Sequence, residues 1–214
     1  MATIQKKQTP QKKRSSSAKK RRRNSAAYEL GKGVKATLFA VGRMLGGPIH
    51  VNFESLEDLF RKELEDLYSA EQQLLEALPK MVEAAHSKAL KTAFRAHLKE
   101  TERQVDRLDK VFTELAIKPS RKTCHAMEGL ISEADEWISE VAEPGVKDAG
   151  LIAAAQRVEH YEMAGYGCVR TYARLLGHRT AATILQQTLD EEGAADKKLT
   201  QLAKRINVQA RPND

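Results

Sequence analysis

The sequence of 214 residues has few of the residues that build disulfide-rich folds or zinc fingers. Its two cysteines, Cys124 and Cys168, form neither a CxxC pair nor a zinc-finger spacing. We therefore expect free thiols and a reducing, cytoplasmic environment. We also expect no secretory signal, because no apolar region with a small-residue cleavage site follows the basic start of the chain.

Long hydrophobic runs are also absent. The most apolar short stretch, ATLFAVGRML, is interrupted by Arg43 and is much shorter than the roughly 20 residues of a bilayer-spanning helix. Aromatic residues make up only 5% of the chain, and most Gly and Pro residues lie outside the segments with periodic apolar residues. These features predict no transmembrane segment and favour a helical bundle.

Positive charge is concentrated at one end of the chain. Residues 1–23 hold ten of the 36 basic residues and no acidic one, so residues 24–214 carry 26 basic and 29 acidic residues although the net charge is +7. We expect residues 1–26 to be a disordered arm, because they are charge-dense and Ser-rich and offer almost nothing to a core. Such an arm could bind DNA phosphates without reading sequence; a solubilising or targeting tail is the alternative. The candidate phosphate-binding residues are Lys12, Lys13, Arg14, Lys19, Lys20, Arg21, Arg22 and Arg23.

Apolar residues recur at helical spacing in four long segments and one short one. The long segments predict helices at about 56–85, 89–116, 147–176 and 180–206, and the short one lies within the connection between the second and third. Two hairpins joined by a long crossover predict an all-α, ferritin-like four-helix bundle over residues 55–206, with a helix in the crossover. A simple up-down bundle with an inserted helix is the alternative. We expect residues 27–54 to form a short amphipathic helix and linker, and residues 207–214 a frayed tail.

Carboxylates interrupt the lines of regularly spaced apolar residues along these helices, and we call each such line a seam. Glu71 stands among otherwise apolar residues in the first seam, and Glu162 and Glu192 hold equally central positions in the third and fourth. The two hairpins correspond by a constant offset of 91 residues, which relates position 71 to 162 and position 100 to 191. The seam thus selects Glu192 and the offset selects Glu191 as the acidic residue of the fourth helix.

Several buried carboxylates at one level would be costly, because each loses several kcal/mol of solvation and they repel one another. A pair of Fe or Mn ions would offset this cost, as in the carboxylate-bridged centres of ferritin-like bundles. A single such Glu is more simply explained by solvent exposure or a salt bridge, but four helices contribute polar groups near their midpoints. The candidate ligands are Glu71, Glu100, Glu159, Glu162, Glu192, His97, Gln104 and Asp196.

One feature departs from the usual di-iron pattern. The Glu-x-x-His motif is missing, because Arg103 follows Glu100 and Ala195 follows Glu192 at the third position. A metal site here is therefore expected to be richer in oxygen ligands than the usual one.

The stretches VEHYEMAGYG and CHAMEGL, together with LEDLFRKELEDLYSAEQQLLEALPKM and LDEEGAADKKLTQLA, resemble the YciE/YciF family of bacterial ferritin-like stress proteins. The resemblance covers residues from about 56 to 203 and does not extend to the basic arm. It implies a rubrerythrin-like bundle, usually dimeric, with a di-metal centre and an association with general, osmotic or oxidative stress.

Two functions remain open from the sequence. The first is a di-metal redox protein that acts on peroxide or oxygen by ferroxidase or peroxidase chemistry. The second is a non-enzymatic protein that associates with DNA through residues 1–26. Because the arm and the bundle are independent, both can hold together.

Overall fold

The computed structural model describes residues 53–120 and 122–210. Within these residues the chain forms five α-helices and no strand: α1 Leu56–Ala84, α2 Lys88–Glu114, α3 His125–Ser139, α4 Pro144–Leu176 and α5 Arg179–Gln209. The predicted all-α fold is confirmed: four long helices form two hairpins, and α3 lies in the crossover between them. The basic arm, residues 27–52 of the predicted helix and linker (27–54) and residues 211–214 of the predicted tail (207–214) lie outside the described residues; residues 207–209 of that tail belong to α5.

The helix ends follow local sequence chemistry. Ser55 caps α1, because its hydroxyl accepts the backbone N–H of Asp58 at 3.1 Å and donates to the Asp58 carboxylate at 2.6 Å. This confirms the predicted start of the first long helix. The α4–α5 turn depends on Gly177, whose φ of 88° lies in the left-handed region that favours glycine at a helix C-terminus.

The crossover helix begins at a buried cysteine. Cys124 is the N-cap of α3, and its thiol donates to the Asp66 carboxylate on α1 at 2.9 Å. The Ser69 hydroxyl, also on α1, accepts the Cys124 backbone N–H at 2.9 Å. These contacts fix the start of α3 against α1. Both cysteines are free, as predicted.

The four long helices surround one interior. α1 contacts α2 and α4, and α5 contacts α2 and α4, so each helix has two neighbours, while α3 packs on α1 and α4. This arrangement is the ferritin-like bundle expected from the two hairpins and their long connection. Among residues 53–120 and 122–210, no helix combines the length and apolar composition that a membrane crossing needs.

Apolar side chains fill both ends of the bundle and leave a polar layer between them. On α2, Leu90 and Phe94 belong to one end cluster, whereas Leu108 and Val111 belong to the other. Each of the other three long helices likewise contributes residues near one of its ends to the first cluster and residues near its other end to the second. The buried polar residues in between come from all four long helices: Glu71, His97, Thr101, Gln104, Glu159, Glu162, Thr188 and Glu192.

Candidate metal centre

Four side chains of the polar layer converge on one point. One ligand atom each from His97, Glu159, Glu162 and Glu192 lies within 4.8 Å of the others, and all four residues are buried. They come from α2, α4 and α5. Glu71 on α1 is fully buried and close enough to raise the pKa values of the Glu162 and Glu192 carboxyls by its charge. All four long helices therefore supply donors to the layer.

Most of these potential metal-ligand atoms have no hydrogen-bond partner within the protein. The unpaired atoms include both oxygens of Glu162 and the Oε2 atoms of Glu71, Glu159 and Glu192. A buried polar group without a partner costs on the order of 1–3 kcal/mol, and an isolated charge costs considerably more. The protein by itself does not satisfy this layer.

The pKa values show the same cost. Burial raises the pKa of Glu71 to about 7, even though the Tyr166 hydroxyl and the charge of His97 act in the opposite direction. Burial, followed by the charges of neighbouring carboxylates, raises the pKa values of Glu162 and Glu192 well above their ordinary range. Without a cation, burial therefore shifts each of these groups towards its protonated form.

His97 joins the buried carboxylates to the surface of the bundle. Its Nε2 lies 3.3 Å from Glu159 Oε1, and its Nδ1 lies 3.8 Å from Glu100 Oε2, but neither nitrogen makes a hydrogen bond of good geometry. Burial alone would lower the pKa of His97, but the charges of Glu159, Glu71 and Glu100 outweigh it and raise the pKa. Both ring nitrogens are thus available to a ligand.

Gln104 and Glu191 settle the register of α5. The Gln104 amide donates to Glu192 Oε1 at 2.6 Å and reaches Glu191 Oε2 at 3.3 Å. Glu191 is half-buried and forms two hydrogen bonds with Arg107, at 2.6 and 2.7 Å. The seam position Glu192, rather than the offset position Glu191, therefore faces the buried group.

Two of the eight candidate ligands lie outside this group. The Glu100 side chain is 34% exposed, and its Oε1 lies 4.0 Å from Arg103. Asp196 accepts the Gln156 amide at 2.9 Å and lies 3.4 Å from exposed His160. Glu100 and Asp196 therefore lie beside the buried faces of their helices, since each residue along a helix adds a rotation of about 100°. The other six candidates, Glu71, His97, Gln104, Glu159, Glu162 and Glu192, are buried in the layer.

Tyr166 is a residue of the layer that sequence reasoning missed. Its hydroxyl donates to Glu71 Oε1 at 2.5 Å, and the side chain is fully buried. It follows Glu162 by four residues, the spacing that places two side chains on one face of a helix. That spacing was the available signal, although it could not reveal the partner on α1.

Comparison with known proteins places this geometry in a family. Residues 55–211 match the family described as a domain of unknown function, DUF892. The chain belongs to this family. Over 154 residues it is 51% identical to Protein YciF of Escherichia coli K12, an alignment that covers 72% of this chain and 93% of that protein. The predicted relationship to the YciF family is confirmed.

Two solved structures of the same kind share the fold. The crystal structure of the E. coli stress protein YciF matches with a TM-score of 0.72 and 49% identity, over 74% of this chain and all of that one. YcfI from Rhodopseudomonas palustris matches with a TM-score of 0.68 and 46% identity, over 70% of this chain and 95% of that one. The helical bundle is thus common to all three proteins, and residues 1–54 of this chain precede the region that matches DUF892.

Proposed function

We propose that this DUF892 protein is a stress-response protein whose polar layer holds two Fe or Mn ions and acts on peroxide or oxygen. The observation that carries the proposal is the set of buried, unpaired carboxylate oxygens on Glu71, Glu159, Glu162 and Glu192. Cations offset both the lost solvation and the mutual repulsion of these groups. The similarity to the E. coli stress protein YciF supports the physiological setting.

The donor set fits hard, redox-active cations. His97, Glu159, Glu162 and Glu192 would hold the metal directly, with Glu71 supplying a further oxygen from α1. Carboxylate oxygens with one imidazole suit Fe or Mn, and no thiolate belongs to the group. Bound there, the ions would supply ferroxidase- or peroxidase-type redox chemistry.

The surrounding residues would orient the donors. Tyr166 holds Glu71 Oε1 and leaves Oε2 free, and Gln104 holds Glu192 Oε1 and leaves Oε2 free. Each carboxylate is thereby fixed by one oxygen and offers the other to the centre. Such supporting hydrogen bonds tune the position and basicity of metal ligands.

Elemental analysis of the full chain, produced with iron and manganese supplied, tests the metal centre. We expect about two ions per chain, the number that a carboxylate-bridged centre holds. Glu162→Ala is expected to lose most of the metal, because both oxygens of Glu162 lack any other partner. Glu76→Ala, an exposed position on α1, is the matched control and should retain it. Metal-free wild-type protein under these conditions would refute the proposal.

Reaction with peroxide or oxygen needs a separate assay. We expect the metal-loaded wild type to consume hydrogen peroxide or to oxidise added Fe²⁺ with oxygen. Metal-depleted protein and Glu162→Ala should do neither. A loaded protein that reacts with neither oxidant would leave a metal-binding protein without redox function.

Association with DNA is a second candidate function, favoured by the ten basic residues and the absence of acidic ones in residues 1–23. Phosphate contacts by such an arm are salt-sensitive and independent of DNA sequence. We expect the full chain to shift double-stranded DNA at low salt, and the chain without residues 1–26 not to do so. Equal binding by both chains would contradict this function. A homodimer and a cytoplasmic location also remain predictions, which sedimentation and cell fractionation test.

A further inference from the structure

A small cavity lies between α2 and α5 beside the buried layer. Its volume is about 90 Å³, and its polar walls are His97, Glu100, Glu159 and Lys198. Of these residues, Lys198 is exposed and Glu100 is half-buried, whereas Glu159 is buried, so the wall runs from solvent inwards. On the α5 side the wall includes Ala195, which is too small to fill the space. The cavity therefore connects the surface with the candidate metal centre.

The potential ligands along this cavity become steadily less exposed. The side chain of Glu100 is 34% exposed, that of His97 is 9% exposed and that of Glu159 is 2% exposed. The His97 ring stands between the two carboxylates, with one nitrogen directed towards each of them. Neither ring nitrogen is held by a hydrogen bond of good geometry, so each is available to a ligand on its own side.

Further along the same pair of helices the space is filled. Arg107 and Glu191 bridge α2 and α5 with two hydrogen bonds, at 2.6 and 2.7 Å. Beneath them, the Gln104 amide donates to Glu192 at 2.6 Å. The α2–α5 contact is thus tied together by side chains at this level, whereas the level of Ala195 is open.

We propose that this cavity is the route by which divalent cations reach the buried centre, with Glu100 as a transient outer ligand and His97 as the group that passes the ion inward. The inference rests on the proposed metal centre and deepens it. Glu100, which lies outside the buried group, thereby has a role other than that of a resident ligand. Lys198 lines the same cavity and competes with the arriving cation for the Glu100 carboxylate.

Uptake of Co²⁺ by the metal-depleted full chain, followed by stopped-flow absorbance, tests this route. We expect Glu100→Gln to slow uptake by about tenfold or more, because charge that focuses ions into a cleft raises association rates by about 10- to 1000-fold. Lys198→Gln should speed uptake, because it removes the competing cation. Glu102→Gln and Lys197→Gln change exposed neighbours on the same helices and should load like the wild type. The final number of Co²⁺ ions bound per chain should be equal in all five proteins.

A steric variant adds an independent arm. Ala195→Leu places a larger side chain in the cavity wall and should also slow uptake without lowering the final occupancy, provided its circular dichroism matches that of the wild type. Wild-type uptake rates in both Glu100→Gln and Lys198→Gln would overturn the proposed route. Lower final occupancy in Glu100→Gln would instead make Glu100 a resident ligand and also overturn it. If the wild type takes up no Co²⁺ at all, the metal centre itself is refuted.

Discussion

Glu71→Gln tests what the buried layer costs the metal-free protein. Glutamine has nearly the same shape, and its amide oxygen can still accept the Tyr166 hydroxyl that contacts Glu71 Oε1 at 2.5 Å. The substitution therefore removes the ionisable group and keeps the packing. The other unpaired carboxylates of the layer remain in place.

The magnitude follows from the pKa of Glu71. Burial raises this pKa from 4.5 to about 7, so the folded state binds more protons than the unfolded state. The stabilising contribution is complete below the unfolded pKa of about 4.5 and is lost as the pH rises through about 7. At about 1.4 kcal/mol per pKa unit, this loss amounts to about 3 kcal/mol by about pH 8.

Urea unfolding followed by helical circular dichroism, in the presence of a chelator, measures this loss. Of this loss, about 2.5 kcal/mol falls between about pH 5 and about pH 8, so over that range the wild type should lose about that much more stability than Glu71→Gln. The control Glu76→Gln changes an exposed glutamate of the same helix and should follow the wild-type curve. Parallel curves for wild type and Glu71→Gln would refute the reasoning, because the folded protein would then tolerate the Glu71 charge without a cation.

Three further substitutions test the packing around the layer by urea unfolding. Phe60→Ala removes a fully buried ring from one end cluster and should lower the free energy of unfolding by about 3–5 kcal/mol. The control Phe53→Ala changes a half-exposed position and should cost much less. Equal losses of stability would contradict the assignment of the core. In the wild type, two backbone N–H groups of the α1–α2 turn donate to the Asp148 carboxylate at 2.7 Å. Asp148→Ala removes this acceptor and should lower the free energy of unfolding by about 1–3 kcal/mol. An unchanged stability would mean that water replaces the carboxylate. Gly150→Ala places a Cβ 2.5 Å from the ring of Trp137, the single tryptophan. It should therefore shift the tryptophan fluorescence and destabilise the protein by about 1–3 kcal/mol. An unaltered spectrum would show that α3 does not pack this closely on α4.

The sequence alone determined where the helices lie along the chain and at which level along them the polar layer lies. The apolar seams of α1 and α4 have a period set by the backbone, so Glu71 and Glu162 could be assigned to the interior before any packing was known. The start of α1 is likewise a local feature, because the Ser55 cap depends on residues three positions apart. Interactions of this kind are local, and local sequence is sufficient to specify them.

Tertiary structure alone decided which groups at the seam edges belong to the layer. Glu100 and Glu191 follow the same offset as the two interior carboxylates, but Glu100 lies at a cavity mouth and Glu191 pairs with Arg107 across α2 and α5. The partnership of Tyr166 with Glu71 also joins residues 95 positions apart. Periodicity gives a side chain's direction only to within about one residue, or 100° of rotation. Whether a side chain at that margin meets water, an opposite charge or the buried carboxylates depends on how closely the neighbouring helix approaches.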